Sequence, residues 1–116
     1  MDHLALAVSD QERSRVFYER YLAFTAELTP RSDGVLMLHN PGGFSLALGE
    51  TTDPISFPAF LHFGAGLSTA EAVCAFRDRL VADDVEIVGE CDEPDYVSVK
   101  FRDPDGYVVE VGWEPG

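Results

Sequence analysis

The same order of sequence signals occurs twice in this chain, about sixty residues apart, which indicates an internal repeat. In the first copy an alternating stretch begins at His3, and Ser9 follows six residues later with a Glu three residues beyond it. In the second copy His62 and Ser68 have the same spacing, again with a Glu three residues on. Ser followed by Glu at this distance is a capping box, which predicts that helices begin at Ser9 and at Ser68.

Turn signals and alternating residues divide each copy into one helix and four strands. Period-two alternation predicts strands at residues 2–8, 24–29, 35–39 and 44–48 in the first copy, and at 60–64, 85–88, 96–102 and 107–112 in the second. Helical spacing predicts buried helix faces at Val16, Phe17 and Tyr21, and at Ala72, Val73, Phe76 and Leu80. The chain is therefore predicted to be α+β, with two βαβββ modules at 1–50 and 57–114 in a single domain spanning 1–116.

The charge of the chain limits its partners. Its formal net charge is -13, whereas nucleic acid and anionic membranes both require clusters of Lys and Arg, so neither is expected as a partner. The acidity indicates either a soluble, self-repelling surface or an acidic cleft that attracts a cationic ligand. No segment has the length of a membrane span or the pattern of a secretory signal, and the two cysteines follow no metal or redox spacing. The sequence thus predicts a cytoplasmic protein.

The duplicated strands have one face that carries mostly small side chains. Small residues and histidines alternate with the large apolar residues of each copy, which predicts a face that lines a hollow rather than a core. The first histidine falls at the equivalent place in each copy, at His3 and His62. Four residues past the turn glycine, the first copy has Ala47 and the second has Glu110. The repeat predicts that these four positions lie near one another.

Three of these four residues are suitable metal ligands. Two imidazoles and one carboxylate around one point form the triad that binds Fe(II) and equally Mn, Co, Ni or Zn. The alternative is that both histidines make ordinary hydrogen bonds and that Glu110 pairs with Lys100 or Arg102. We predict a divalent metal at His3, His62 and Glu110, because the three residues occur in register within a repeat and a metal would neutralise an inward carboxylate.

Several stretches of the chain resemble the vicinal oxygen chelate superfamily. They are Asp2-His3-Leu4-Ala5-Leu6-Ala7-Val8-Ser9-Asp10, Phe17-Tyr18, Leu61-His62-Phe63-Gly64, and Asp103-Pro104-Asp105-Gly106-Tyr107 with Glu110. The superfamily contains glyoxalase I, extradiol dioxygenases, methylmalonyl-CoA epimerase, fosfomycin-modifying enzymes and bleomycin resistance proteins. The resemblance covers nearly the whole chain. It implies paired βαβββ modules that form a curved eight-stranded mixed sheet around a cavity, with helices on the outer face, in a homodimer.

The resemblance also implies a set of metal ligands. The ligands of the superfamily fall on His3, His62 and Glu110, and its fourth ligand position falls on Ala47, which cannot coordinate a metal. Glyoxalase I and the epimerase usually have Glu or Gln at that position. Extradiol dioxygenases and fosfomycin enzymes, which use two His and one Glu, are therefore more similar to this chain.

Two further residues are candidates for catalysis. Tyr96 and Lys100 alternate toward the same face as Glu110 if the neighbouring strand keeps the expected register. Lys100, the only lysine, could bind an anionic oxygen of the substrate, and Tyr96 could transfer a proton. The alternative for Lys100 is that it extends toward a surface carboxylate.

The sequence supports functions of two classes. The first is a metal-dependent lyase, isomerase or dioxygenase that binds neighbouring oxygen atoms of a small substrate at the triad. The second is a metal-free protein, similar to the bleomycin resistance group, that sequesters a small compound. The acidity of the chain favours a cationic compound and hence the second class. The triad favours the first. An antibiotic-modifying transferase is a third hypothesis, which Ala5 and the acidity disfavour.

Overall fold

The computed structural model of the protein describes residues 1–27, 29 and 31–116, and it contains two compact units, Met1–Phe57 and Pro58–Gly116. The first unit contains β1 (His3–Val8), α1 (Gln11–Leu22), β2 (Thr25–Ala26), β3 (Leu36–His39) and β4 (Ser45–Glu50). The second contains β5 (His62–Gly66), α2 (Ala70–Ala82), β6 (Ile87–Glu93), β7 (Tyr96–Arg102) and β8 (Val108–Trp113). Each unit is one βαβββ module, so the predicted fold class, α+β with two such modules, is confirmed.

Each unit contains one mixed four-stranded sheet, and the two sheets have the same topology. The strand order is β1-β4-β3-β2 in the first unit and β5-β8-β7-β6 in the second. In both, the first and last strands of the module pair in parallel, and the other neighbours pair antiparallel. The turn before the last strand is also repeated, because Gly43 and Gly106 adopt left-handed φ values of 85° and 89° at equivalent places. The parallel pairing places the first histidine of each module beside the last strand.

The helices begin one residue later than the capping boxes predict. Asp10 caps α1, where its side chain accepts a hydrogen bond of 3.1 Å from the backbone N–H of Arg13. Thr69 caps α2 in the same way, with 3.0 Å to the N–H of Ala72. The predicted caps Ser9 and Ser68 are therefore wrong. Asp and Thr also cap helices well, so two adjacent candidates compete at each position.

Four strand predictions are wrong by two or more residues at one end. The strand predicted at 24–29 contains only Thr25–Ala26, and its predicted residue Leu28 lies outside the described residues. Strands predicted at 44–48, 60–64 and 85–88 are found at Ser45–Glu50, His62–Gly66 and Ile87–Glu93. Each of these three begins and ends later because its pairing with a neighbouring strand, rather than its local alternation, sets its bounds. The strand predicted at 96–102 has the bounds observed for β7.

The core of each unit lies between the helix and one face of its sheet. In the second unit Val73 and Leu80 of α2 are buried with Val99, Phe101 and Val109, and the rings of Phe76 and Phe101 are 5.5 Å apart. In the first unit the buried face of α1 consists of Ser14, Tyr18 and Tyr21, whose spacing follows one side of a helix. The predicted face is wrong at Val16, which is exposed, and correct at Tyr21.

No helix in the described part of the chain is long and apolar enough to cross a membrane.

Replacement of Ser14 by Ala is expected to stabilise the protein. Ser14 is fully buried in α1, and within residues 1–27, 29 and 31–116 its hydroxyl oxygen has no hydrogen-bond partner. Removing an unsatisfied buried hydroxyl should gain about 1 kcal/mol and raise Tm by about 4 °C. Thermal unfolding followed by circular dichroism measures this, with the exposed Ser68→Ala as the matched control. A lower Tm for Ser14→Ala would mean that the hydroxyl has a partner.

Candidate functional site

Strand register brings the predicted site residues of the second unit to one face of its sheet. Glu110 of β8 lies directly between Gly64 of β5 and Lys100 of β7, its partners in the two ladders. Paired residues project to the same face of a sheet, and so do residues two apart in one strand. His62, two residues before Gly64, and Tyr96, four before Lys100, therefore share the face of Glu110. The opposite face carries the core.

Gly64 allows β5 to approach β8 closely at this point. A Cβ atom at residue 64 would overlap the backbone carbonyl oxygen of Glu110 and lie 3.2 Å from the Glu110 Cβ. No side chain can occupy this position without moving β8. A glycine within a strand pattern is the sequence signal for such a close approach, and here it sets the distance between the strands that carry His62 and Glu110.

His62 and Glu110 form a half-buried pair. Nε2 of His62 lies 3.6 Å from Oε1 of Glu110, and the two side chains are 25% and 20% exposed. Nδ1 of His62 is 2.8 Å from the carbonyl oxygen of Phe60. Because a carbonyl oxygen only accepts, Nδ1 carries the hydrogen, and in the neutral ring Nε2 directs its lone pair toward Glu110. A backbone carbonyl that orients a histidine in this way is typical of metal-binding imidazoles.

Tyr96 holds the second oxygen of Glu110. Its hydroxyl donates a hydrogen bond of 2.7 Å to Oε2, so each carboxylate oxygen faces a different neighbour. This hydrogen bond raises the pKa of Tyr96 above its ordinary value; a hydrogen bond from Ser98 opposes the shift, and burial adds to it. Tyr96 therefore remains a donor at neutral pH.

Two hollows meet at the Tyr96–Glu110 hydrogen bond. The larger has a volume of about 360 Å³ and is lined by residues that include Gly64, Leu67, Trp113 and Glu114. The smaller has a volume of about 170 Å³ and is lined by residues that include Gly89, Cys91, Ser98 and Lys100. Tyr96 and Glu110 line both. A small molecule in either hollow would contact this pair.

The predicted alternative pairing of Glu110 with Arg102 or Lys100 is wrong. Arg102 lies 3.4 Å from Glu86 and donates a hydrogen bond of 2.8 Å to the carbonyl oxygen of Gly106. Lys100 lies opposite Glu110 in the ladder, yet it forms no ion pair with any residue that the structure describes. Its ammonium group is therefore available to a ligand in the smaller hollow.

His3 lies in the first unit, at the start of β1. Its side chain is exposed, and Nδ1 is 2.8 Å from Oδ1 of Asp2. Ala47 of β4 pairs with Ala5 and Met37, which makes it the counterpart of Glu110 in the repeat. The first unit thus has the equivalent histidine without the carboxylate. Over the described parts of both units, no group of three or more His, Cys, Asp or Glu side chains is arranged to hold a metal ion.

The structure places His62, Glu110, Tyr96 and Lys100 on one face of the sheet, as their alternation predicted, but the groups that orient His62 and set the strand spacing were not predicted. The carbonyl group of Phe60 could not be identified because a backbone acceptor leaves no signal in the side-chain pattern. The close approach at Gly64 did have a signal, the glycine in mid-strand. Trp113 lines the larger hollow, whereas Tyr107 is buried.

Comparisons with known proteins agree with this architecture. A profile of the Glyoxalase/Bleomycin resistance protein/Dioxygenase superfamily matches residues 1–111. A possible glyoxalase from Bacillus cereus has 25% sequence identity and a TM-score of 0.79, with 96% of each chain covered. A glyoxylase/bleomycin resistance protein/dioxygenase domain from Frankia sp. EAN1pec has 22% identity and a TM-score of 0.81, with 99% of this chain and 97% of that chain covered.

A third similar structure contains a metal and a small ligand. It is a mutant of the fosfomycin resistance protein FosX from Listeria monocytogenes, complexed with Mn(II) and 1S,2S-dihydroxypropylphosphonic acid. It has 18% identity and a TM-score of 0.79, with 96% of this chain and 86% of that chain covered. No curated protein matches the sequence.

Replacement of Gly64 by Ala is expected to destabilise the second unit and displace Glu110. The added Cβ would overlap the backbone of β8, and such overpacking costs about 1–3 kcal/mol. Urea unfolding measures the loss. Gly66→Ala is the matched control, since a Cβ at that glycine of the same strand would lie 3.9 Å from the nearest atom, the Gly112 carbonyl oxygen. Equal stability of the two variants would contradict the close approach.

Proposed function

The chain belongs to the Glyoxalase/Bleomycin resistance protein/Dioxygenase superfamily, and on this basis we propose that it is a metalloenzyme acting on a small substrate with neighbouring oxygen atoms. The observation that supports the proposal most directly is the pair formed by His62 Nε2 and Glu110 Oε1, 3.6 Å apart. Both atoms are acceptors when the imidazole is neutral, and a divalent cation between them would bind both. The FosX mutant, which is similar in fold, is complexed with Mn(II).

The donor set fits a metal such as Fe, Mn, Co, Ni or Zn. Imidazole and carboxylate ligands suit all five, so the residues do not select among them. His62 and Glu110 would be two of the ligands. We propose His3 as the third ligand, because it takes the place of His62 in the repeat. It begins β1, the strand that pairs in parallel with β4. A ligand set of two His and one Glu leaves coordination positions open for substrate oxygens.

The residues around Glu110 would each have a different role in the reaction. A bound divalent metal would supply Lewis acidity toward the substrate oxygens. Tyr96 keeps Glu110 in one orientation through its hydrogen bond, and as a protonated phenol in the wall of both hollows it is placed to exchange a proton with a substrate. Lys100, which has no ion-pair partner in the described residues, would bind a negatively charged oxygen of the substrate. The reaction would be that of a lyase, an isomerase or a dioxygenase.

A second candidate function is sequestration of a small cationic compound without a metal. The larger hollow is lined by Glu110, Glu114, Tyr96 and Trp113. Carboxylates and aromatic faces both attract cations. The superfamily includes bleomycin resistance proteins, and the net charge of -13 favours a cationic ligand. In either function the chain would work in the cytoplasm as a homodimer.

Metal binding is expected to depend on Glu110 and His62. Titration calorimetry of the apoprotein with Mn(II), Fe(II), Ni(II) and Zn(II), with elemental mass spectrometry of the purified protein, should give about one metal per chain. Glu110→Gln and His62→Ala should weaken binding at least about a hundredfold, since each removes a ligand. Glu114→Gln is the matched control because it lies in the same hollow without facing His62.

The same titrations test the third ligand and separate the two functions. His3→Ala should weaken metal binding, whereas His39→Ala should not. Equal affinity of Glu110→Gln and the unmodified protein would contradict the proposed centre. Failure of the unmodified protein to bind any of the four metals, together with binding of a cationic glycopeptide, would favour sequestration.

Replacement of Tyr96 by Phe is expected to weaken metal binding by about tenfold, because it removes the hydrogen bond that orients Glu110. Calorimetry with the same metal measures the change. Lys100→Met is the control, since it removes a neighbouring side chain and leaves the hydrogen bond in place. Unchanged affinity of Tyr96→Phe would show that Glu110 needs no orienting donor.

A further inference from the structure

A second group of polar side chains lies in the first unit; none of its members is a proposed metal ligand, although its Ser45 is paired with His3 across β1 and β4. Oγ of Ser45 is 2.8 Å from Nδ1 of His39, and Nε2 of the same ring is 2.8 Å from Oε1 of Glu27. A hydroxyl, an imidazole and a carboxylate thus form a continuous chain of two hydrogen bonds. Activated nucleophiles in proteins have this order of groups.

The strand register brings the three hydrogen-bonded side chains together. Ser45 begins β4 and is paired with His39, the last residue of β3. His39 is paired in turn with Thr25 of β2, and Glu27 lies two residues beyond Thr25 on the same face. The backbone N–H of Glu27 donates to the Met37 carbonyl oxygen at 2.9 Å, which continues the pairing past the end of β2.

The hydrogen bonds determine the tautomer of His39. An ionised carboxylate only accepts, so the hydrogen of the neutral ring is on Nε2, facing Glu27. Nδ1 then carries the lone pair and accepts the hydroxyl hydrogen of Ser45. This is the orientation that a general base requires, with the carboxylate placed to stabilise the imidazolium. His39 and Glu27 are 46% and 36% exposed, so reagents in solution can reach the group.

We propose that Ser45 is a nucleophile, activated by His39 and Glu27, that accepts the acyl group of activated carboxylic esters. Oγ of Ser45 attacks the ester carbonyl carbon while its proton moves to Nδ1 of His39. The bond from that carbon to the leaving alcohol oxygen breaks, and the proton on His39 passes to the leaving group. Water then hydrolyses the acyl-serine by the same route, so the sum is ester plus water to acid plus alcohol.

Neighbouring backbone groups restrict the substrates to reactive esters. The N–H of Gly43 donates to the Asn40 carbonyl oxygen, that of Phe44 to Asn40 Oδ1, and that of Ser45 to the Asp2 carbonyl oxygen. These three amides are therefore occupied and do not stabilise a developing oxyanion, whose donors contribute much of the rate in serine hydrolases. Acylation should be faster than release, and unactivated esters should not react.

The test is covalent labelling of the full chain. The protein is incubated with p-nitrophenyl acetate and, separately, with a fluorophosphonate, in which the Oγ–P bond forms as the P–F bond breaks and fluoride leaves. Peptide mapping by mass spectrometry should find both labels on Ser45, with a burst of about one equivalent of nitrophenolate per chain. A chelator should leave the labelling unchanged, which distinguishes this group from the proposed metal centre.

One variant at each of the three residues, with a control at Ser68, tests the role of that residue. His39→Gln should slow labelling of Ser45 about a hundredfold or more, and Glu27→Gln should slow it about tenfold. Ser45→Ala should remove the label, and the exposed Ser68→Ala should keep it. Circular dichroism confirms that each variant is folded. An unlabelled Ser45 in the unmodified protein, or unchanged labelling in folded His39→Gln and Glu27→Gln, would overturn the proposal.

Discussion

The close approach of β5 to β8 at Gly64 is the contact on which the site in the second unit depends. The absence of a side chain lets the Glu110 backbone lie against residue 64, and the parallel ladder then brings His62 within 3.6 Å of the carboxylate. The core on the opposite face supports this arrangement, because Val109 and Val111 flank Glu110 and are fully buried. A side chain on one face is thus positioned by packing on the other.

The two modules have the same topology but differ at the positions of the candidate site. Where the second has Gly64 and Glu110 side by side, the first has Ala5 and Ala47. In the first unit the polar residues linked by hydrogen bonds are Ser45, His39 and Glu27, and Ser45 lies two residues before Ala47 on β4. A repeat allows this division, since each copy can form its sheet and core independently of the residues at its polar face.

The sequence predicted which face of a strand each residue is on better than it predicted which side chains that residue contacts. Alternation alone placed His62 and Glu110 on one face. The turn before β8 has Asp103, whose carboxylate accepts the N–H groups of Asp105 and Tyr107, each at 2.9 Å. The helix starts were wrong by one residue because Ser9 and Asp10, like Ser68 and Thr69, are both good caps. The Tyr96–Glu110 and His39–Glu27 hydrogen bonds were not predictable, since they depend on cross-strand register and side-chain rotamers that no local pattern encodes.

Because the residue beside Glu110 is a tyrosine, the hydrogen bond that orients Glu110 is present over a wide range of pH. The carboxylate raises the pKa of Tyr96, so the folded state favours the protonated phenol. The hydrogen bond therefore contributes its full stability below the pKa of an unfolded tyrosine, about 10, and is lost only as pH rises through the higher folded value. Across the physiological range Glu110 keeps the same donor on Oε2 and directs Oε1 toward His62. A histidine in the place of Tyr96 would titrate within that range, and the orientation of Glu110 would then change with pH.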